Sequence, residues 1–324
     1  MQARYLVLGG RGFLGSHVVD SLLSKGASVR ILDRPAPAGA RLFFPGTNPH
    51  LLQVVEGDFT NHQDLQTAMD GCDICVHTIT TTLPKTSNDD VAFDVSTNLL
   101  GTIKLLDYAV TAGLKKLVFL SSGGTVYGPP LTHDLAEDHP TDPISSYGIT
   151  KLAIEKYLAL YEHLHGLQAV SLRISNPFGP RQRIDGAQGA IAAFLGLALR
   201  NRPIQVWGDG SAVRDYLHVK DVVSAIEAAC AYTGDERIFN IGSGIGRSLL
   251  EVLDAIELAT NRKILKNFVE GRSFDVRRNV LDISRANREL KWRPEVEFYQ
   301  GVSDTATWIE RELRLGNFSA TVLR

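Results

Sequence analysis

The chain has 324 residues, 44% of them hydrophobic and 22% charged, which provides for about two domains and excludes a disordered, fibrous or single small-domain protein. Its 34 basic and 36 acidic residues leave a formal net charge of −2, so no broad field attracts nucleic acid or an anionic membrane, and functional basic groups must act locally. Three cysteines, Cys72, Cys75 and Cys230, are too few for a disulfide framework and fit a reducing, cytoplasmic setting.

The opening stretch carries one basic residue and an apolar run that stops at glycines, unlike a signal peptide, and no apolar run approaches the ~20 residues of a membrane span. Strand Tyr5 to Leu8 leads through Gly9-Gly10-Arg11-Gly12-Phe13-Leu14-Gly15 into a helix from Gly15 to Lys25. Strand Val29 to Asp33 follows, then a Pro-rich surface loop from Arg34 to Pro49 and strand Leu52 to Gly57. Helix Asp64 to Met69 precedes strand Ile74 to Thr78, whose apolar run makes Cys72 and Cys75 core residues rather than a redox or metal pair. Helix Phe93 to Ala112, strand Leu117 to Ser121, helix Tyr147 to His165 and strand Ala169 to Arg173 complete the series. Alternating strands and helices predict an α/β fold, a Rossmann-type doubly wound parallel sheet with its ligand crevice beyond the carboxyl ends of the strands. Asn176-Pro177-Phe178-Gly179-Pro180 breaks the pattern, which divides the chain into a dinucleotide-binding domain at 1–175 and a smaller α/β substrate domain at 176–324. Arg237 to Ile241 is a strand-like run able to return to the first sheet.

Gly9, Gly12 and Gly15 sit at the first strand-to-helix turn, with Phe13 and Leu14 inside it. Small residues there allow a tight turn and close approach of backbone N–H groups to a pyrophosphate. Asp33 ends the next strand, eighteen residues after Gly15, where a carboxylate accepts hydrogen bonds from ribose hydroxyls and repels a 2′-phosphate. NAD is therefore expected over NADP, although Arg11 and Arg34 offer a 2′-phosphate two partners. Asp58 and Phe59, after the third strand, place a carboxylate and an aromatic near the adenine, or else cap the helix at Asn61.

Tyr147-Gly148-Ile149-Thr150-Lys151 puts a phenol and an ammonium four residues apart on one helix face. A phenol has a pKa of about 10, and the cations of Lys151 and an oxidised nicotinamide would favour its ionisation. Tyr147 then exchanges a proton with a substrate hydroxyl while hydride moves to the cofactor.

With these motifs the chain resembles the extended short-chain dehydrogenases/reductases, and among them nucleotide-sugar 4-epimerases of the UDP-glucose 4-epimerase type. The likeness covers nearly the whole length: Gly9 to Ser16, Asn98-Leu99-Leu100-Gly101-Thr102, Ser121 to Gly128, Tyr147 to Lys151, Asn176-Pro177, Trp207-Gly208-Asp209-Gly210, Arg214-Asp215-Tyr216, Arg272 and Asp275. The resemblance implies that Tyr147 transfers the proton and that Lys151 binds the nicotinamide ribose, with Asn98 and Ser121 also on the cofactor. It implies that Asn176, Arg214 and Arg272 hold the sugar diphosphate, where guanidinium forks suit a pyrophosphate, and that Asp275 meets the uridine ribose. Trp207 reads as a packed aromatic of the substrate domain or a base-stacking residue.

Relatives carry Ser or Thr four residues before the tyrosine of Val126-Tyr127-Gly128, bonded to the sugar 4-hydroxyl; this chain has Gly123. The hydroxyl then comes from Ser122 or Thr125, or else Gly123 marks weakened activity or a water-filled gap. Gly123-Gly124-Thr125 also lacks the carboxylates of the related dehydratases and decarboxylases, which favours hydride removal and return at C4. The expected activity is NAD-dependent C4 epimerisation of a UDP-hexose through a 4-keto sugar, with no metal. Asn279, where UDP-glucose-restricted relatives carry Tyr, leaves room for an N-acetyl group. Alternatives are UDP-glucuronate, suggested by Arg181 and Arg183, an NADP-dependent keto-sugar reductase, and a non-catalytic dinucleotide-binding protein. Related enzymes pair through two long helices, here Phe93 to Ala112 and Tyr147 to His165, so a homodimer is expected.

Overall fold

The computed structural model describes residues 3–36, 48, 50–186, 189–271 and 276–317. The chain opens β1 (Arg4–Leu8), α1 (Phe13–Ser24), β2 (Ser28–Asp33), β3 (Leu52–Glu56), α2 (His62–Met69) and β4 (Ile74–His77). Helical pieces α3 (Val91–Asp94), a π-wound segment (Val95–Leu100) and α4 (Gly101–Thr111) lead to β5 (Lys116–Ser122), α5 (Ser146–His165) and β6 (Gln168–Ile174). The helix expected to run unbroken from Phe93 to Ala112 is thus interrupted by a wide turn, and α1 starts two residues earlier than expected, at Phe13.

Next come β7 (Asn176–Phe178), α6 (Ala190–Leu199), β8 (Ile204–Trp207), β9 (Val213–His218), α7 (Val219–Ala231) and β10 (Ile238–Ile241). The chain continues through β11 (Gly246–Ser248), α8 (Leu249–Thr260), β12 (Lys266–Val269), β13 (Arg278–Asn279), α9 (Ser284–Glu289) and α10 (Phe298–Arg314).

Seven parallel strands form one sheet in the order β10-β6-β5-β4-β1-β2-β3. Leu6, Val7 and Leu8 of β1 are all fully buried, because helices cover both faces; that is why the run is continuously apolar rather than alternating. Edge strand β3 is wetter, with Val54 exposed. The chain leaves β1 toward β2 and β3, then crosses to β4 on the other side, so the crevice opens at the carboxyl ends of β1 and β4. Cys72, Cys75 and Cys230 are free thiols buried in the core.

The run at Arg237 to Ile241 does return: β10 pairs in parallel with β6, and Phe239 and Ile241 join Ala229 of α7 and Trp292 in the core beneath the sheet. A second layer carries β11-β9-β13 with β7 beside β9, and a two-stranded β8–β12 pair. Its core is built from α6, α8 and α10, where Leu195, Leu253, Ile256 and Val302 are buried. No helix among the described residues is long and apolar enough to cross a membrane.

Candidate active site

Gly9 turns at φ 79°, a conformation open to glycine, and the Gly12 N–H donates to the Gly9 carbonyl at 2.9 Å. A Cβ on Gly15 would collide with that same carbonyl, so α1 packs onto the turn only because residue 15 has no side chain. The helix is capped by Gly12 without a side-chain acceptor, and half-buried Phe13 and Leu14 follow, so the first N–H groups face the crevice as anion donors. This cradle fits a dinucleotide pyrophosphate.

Asp33 accepts the Arg11 N–H on one oxygen and the Arg34 N–H on the other, both at 2.8 Å, which leaves each oxygen a further lone pair for a ribose hydroxyl. The Arg11 guanidinium donates to Glu56 at 2.7 Å and to the Arg34 carbonyl at 3.0 Å, while Arg34 lies 3.5 Å from Asp58. Both arginines are therefore matched to carboxylates, which leaves Asp33 as the charge in excess among these five groups. Asp58 also accepts from the N–H and hydroxyl of Thr60, whose hydrogen bonds, with Arg34, hold its carboxyl below the usual range against a smaller effect of burial. Asn61, not Asp58, caps α2. Phe59 needs correcting: its ring is buried in the core against Gly101 and His77, because α2 and α4 close over it, so no aromatic face is offered to an adenine.

Across the crevice, the Ser145 side chain caps α5, the Ser87 hydroxyl accepts the Tyr147 N–H at 3.0 Å and Asn88 accepts the Ser146 N–H at 2.9 Å. The first turn of α5 is thereby pinned to the loop after β4. Tyr147 is half-buried, and enclosure of its phenol, with the charge of Asp94, pushes its pKa up to about 12; the Ser122 hydroxyl acts the other way. Lys151 donates to the Leu120 carbonyl at 2.8 Å, and its Nζ lies 4.6 Å from the Phe119 ring centre and 5.5 Å from that of Tyr147. Burial draws its pKa down to about 8, against the pull of Asp94 and Glu155. The chain alone therefore keeps the phenol protonated at neutral pH, in keeping with the expectation that Lys151 acts together with an oxidised nicotinamide. Of the two candidate hydroxyls, Ser122 is the one whose neighbourhood eases ionisation of the Tyr147 phenol; the Thr125 hydroxyl is buried and finds no hydrogen-bond partner among the described residues.

Ser121 and Asn98 hold their neighbours. The Ser121 hydroxyl donates to Glu155 at 2.5 Å, and Glu155 forms a buried forked pair with Arg173, whose guanidinium lies 4.8 Å from the Tyr127 ring centre. Asn98 accepts the Thr81 N–H and donates to Thr82 and Asp94, so its amide shapes the loop beside the crevice. Asp94 receives four hydrogen bonds under α5, and the sequence signal for it is a carboxylate one helical turn before Asn98.

On the substrate side, Asn176 donates to the Asp215 carbonyl at 2.9 Å, and Arg214 pairs with Asn279 across β9 and β13. Asn279 is buried and donates to the Gly123 carbonyl at 3.2 Å, while its own carbonyl oxygen has no partner among the described residues. Trp207 stands on β8 with 42% of its surface exposed. Arg272 and Asp275 lie outside the described residues. Arg181 pairs with Asp20 of α1.

Residues 5–242 match the model of the NAD dependent epimerase/dehydratase family. A UDP-glucose 4-epimerase of Mycolicibacterium smegmatis is 35% identical over 311 residues, covering 95% of this chain and 99% of that one. The crystal structure of UDP-glucose 4-epimerase with UDP-glucose from Thermotoga maritima superposes with a TM-score of 0.88 at 31% identity, covering 96% of this chain and 99% of that one. The UDP-glucose 4-epimerase of Thermus thermophilus in complex with NAD gives 0.85 at 34% identity, covering 94% and 98%.

Proposed function

The chain belongs to the NAD dependent epimerase/dehydratase family, and from that premise we propose that it inverts C4 of a UDP-hexose. The observation that carries the reading is the Tyr147 phenol beside the buried Lys151 ammonium, 5.5 Å from its ring centre, with the Ser122 hydroxyl as neighbour and no carboxylate between Ser122 and Val126 to serve an elimination. NAD, when bound, supplies the acceptor and donor of the C4 hydride. The glycine turn and the N-terminus of α1 hold its pyrophosphate, Asp33 its adenosine ribose and Lys151 its nicotinamide ribose.

Tyr147 takes the proton of the 4-hydroxyl and later returns it, and Ser122 relays or orients that proton. Lys151, charged at neutral pH with a pKa near 8, lowers the cost of a phenolate beside it. Arg214, Asn176 and Trp207, with Arg272 and Asp275, grip the UDP so that the 4-keto hexose turns its other face while the nucleotide stays anchored. UDP-glucose/UDP-galactose and the N-acetyl pair fit this site, since Asn279 is small. Pairing of Arg181 with Asp20 speaks against a clamp for glucuronate, and pairing of Arg11 with Glu56 against NADP and a reductase.

Ile149, Tyr157, Leu160 and Leu164 form an exposed apolar stripe along α5, and Phe93 and Leu100 are exposed on the neighbouring helical pieces. A second copy of the chain is the partner this face fits, as a homodimer. The three buried thiols accord with a cytoplasmic site of action. Offering UDP-glucose, UDP-GlcNAc and UDP-glucuronate separately and following C4 by NMR tests the reading: inversion of at least one of the first two is expected, and inversion of none refutes it.

A further inference from the structure

Asp94 has no role in the mechanism above, yet it is fully buried at the end of α3, where the helix widens into its π-wound turn. Its Oδ2 accepts from the hydroxyls of Ser146 at 2.6 Å and Thr150 at 2.8 Å. Its Oδ1 accepts from Asn98 Nδ2 at 2.9 Å and from the Thr82 hydroxyl. Four donors satisfy an ionised carboxylate in full. Burial pushes its pKa up, but the hydrogen bonds from Ser146, Thr82, Thr150 and Asn98 outweigh that and hold it below the usual carboxylate range. Ser146 and Thr150 are the residues immediately before Tyr147 and Lys151, so the carboxylate grips α5 at both members of the reacting pair, at the positive end of the helix dipole.

We propose that Asp94 is a positioning residue of this site: it clasps the first turn of α5 through Ser146 and Thr150 and sets a fixed negative charge behind Tyr147 and Lys151. The inference rests on Tyr147 being the proton carrier. A pure staple would contribute hydrogen bonds alone. The charge does more, because it opposes a phenolate on Tyr147 and favours an ammonium on Lys151. The other groups facing this pair are Ser122, whose hydroxyl eases ionisation of the phenol, Glu155, which also favours the ammonium, and His77, which burial keeps neutral with a pKa near 3. Asp94 therefore moves both ionisations upward together and sets where the working pH window lies.

Asp94→Asn keeps the shape and removes the charge. We expect kcat to fall roughly tenfold, and both limbs of its pH profile to move toward acid by about one unit. In the protein without added nucleotide, ultraviolet titration of the phenol, taken as the difference from a Tyr147→Phe background, shifts the same way. A fall in kcat with both limbs and the phenol titration unmoved, or an unchanged kcat, overturns the proposal. If Asp94→Asn does not fold, Thr150→Val carries the test: with one donor lost and the charge kept, kcat falls several-fold with the limbs in place, and an unchanged kcat again overturns it. Tyr147→Phe run alongside separates the two ideas, since full turnover there defeats the proton-carrier reading, whereas an inactive Tyr147→Phe beside an Asp94→Asn identical to wild type defeats the Asp94 inference alone.

Discussion

Leu281 stands where a side chain on residue 123 would have to go: a Cβ built on Gly123 would lie 2.6 Å from Leu281 Cδ1 and 3.0 Å from the Arg173 carbonyl oxygen. Leu281 is itself buried with Val126, Tyr127 and Leu135, and its backbone bridges to Leu135. The glycine is thus paired with a leucine rather than left beside a gap. Gly123→Ser is expected to destabilise the protein by about 1–3 kcal/mol through overpacking. In a Leu281→Ala background the same change costs less, with only the close approach to the Arg173 carbonyl left, which thermal denaturation of the four proteins of that cycle measures. Equal costs in both backgrounds would show that Leu281 is not what excludes the side chain.

Ser122 and Thr125 separate by function. Ser122→Ala removes the hydroxyl that eases ionisation of the phenol and is expected to lower kcat by about 100-fold with KM little changed. Thr125→Val is nearly isosteric and deletes a buried hydroxyl that has no partner among the described residues, so turnover stays near wild type. Loss of turnover in Thr125→Val with Ser122→Ala active would reverse the assignment.

Cofactor choice depends on Arg11 being held by Glu56. Glu56→Gln weakens that hold, and fluorescence titration should show NADP binding gained by about tenfold relative to NAD as the guanidinium becomes available to a 2′-phosphate. An unchanged ratio would mean that Asp33 alone discriminates.

His77 links stability to acid. Its ring is buried between Phe59 and Phe119, Nε2 meets the Thr102 hydroxyl at 3.1 Å, and burial, with a smaller push from Lys151, lowers its pKa from 6.5 to about 3. The unfolded chain takes up a proton below pH 6.5 and the native chain does not, so this stability is complete above pH 6.5 and is lost as pH falls toward 3. The slope from this residue is about 1.4 kcal/mol per pH unit, and urea unfolding of His77→Phe should lose it. A variant with the wild-type slope would place the acid sensitivity elsewhere.

The sheet was legible because strands buried on both faces read as continuous apolar runs and the turns between them are marked by glycine; β1, β2, β4, β5 and β6 lie within a residue or so of their expected bounds. The wide turn at Val95–Leu100 was not, since six residues are too few for a change of winding to show against the apolar period of the helix around it. Phe59 was misread because an aromatic after a strand looks alike whether it faces a ligand or a covering helix. Asp94 was missed for a related reason: a carboxylate in a helix is ordinarily solvated, and its donors Ser146 and Thr150 come from more than fifty residues away. The choice between Ser122 and Thr125 needed the direction in which the chain leaves β5, which no spacing encodes.

Turnover of Tyr147→Phe tests the account most directly. The variant removes one oxygen from a side chain whose backbone N–H, held by Ser87, is untouched, so it should fold and bind NAD as wild type does. C4 inversion should fall by about a thousandfold or more. Inversion at near wild-type rates would contradict the account, since no proton would then need to pass through this phenol.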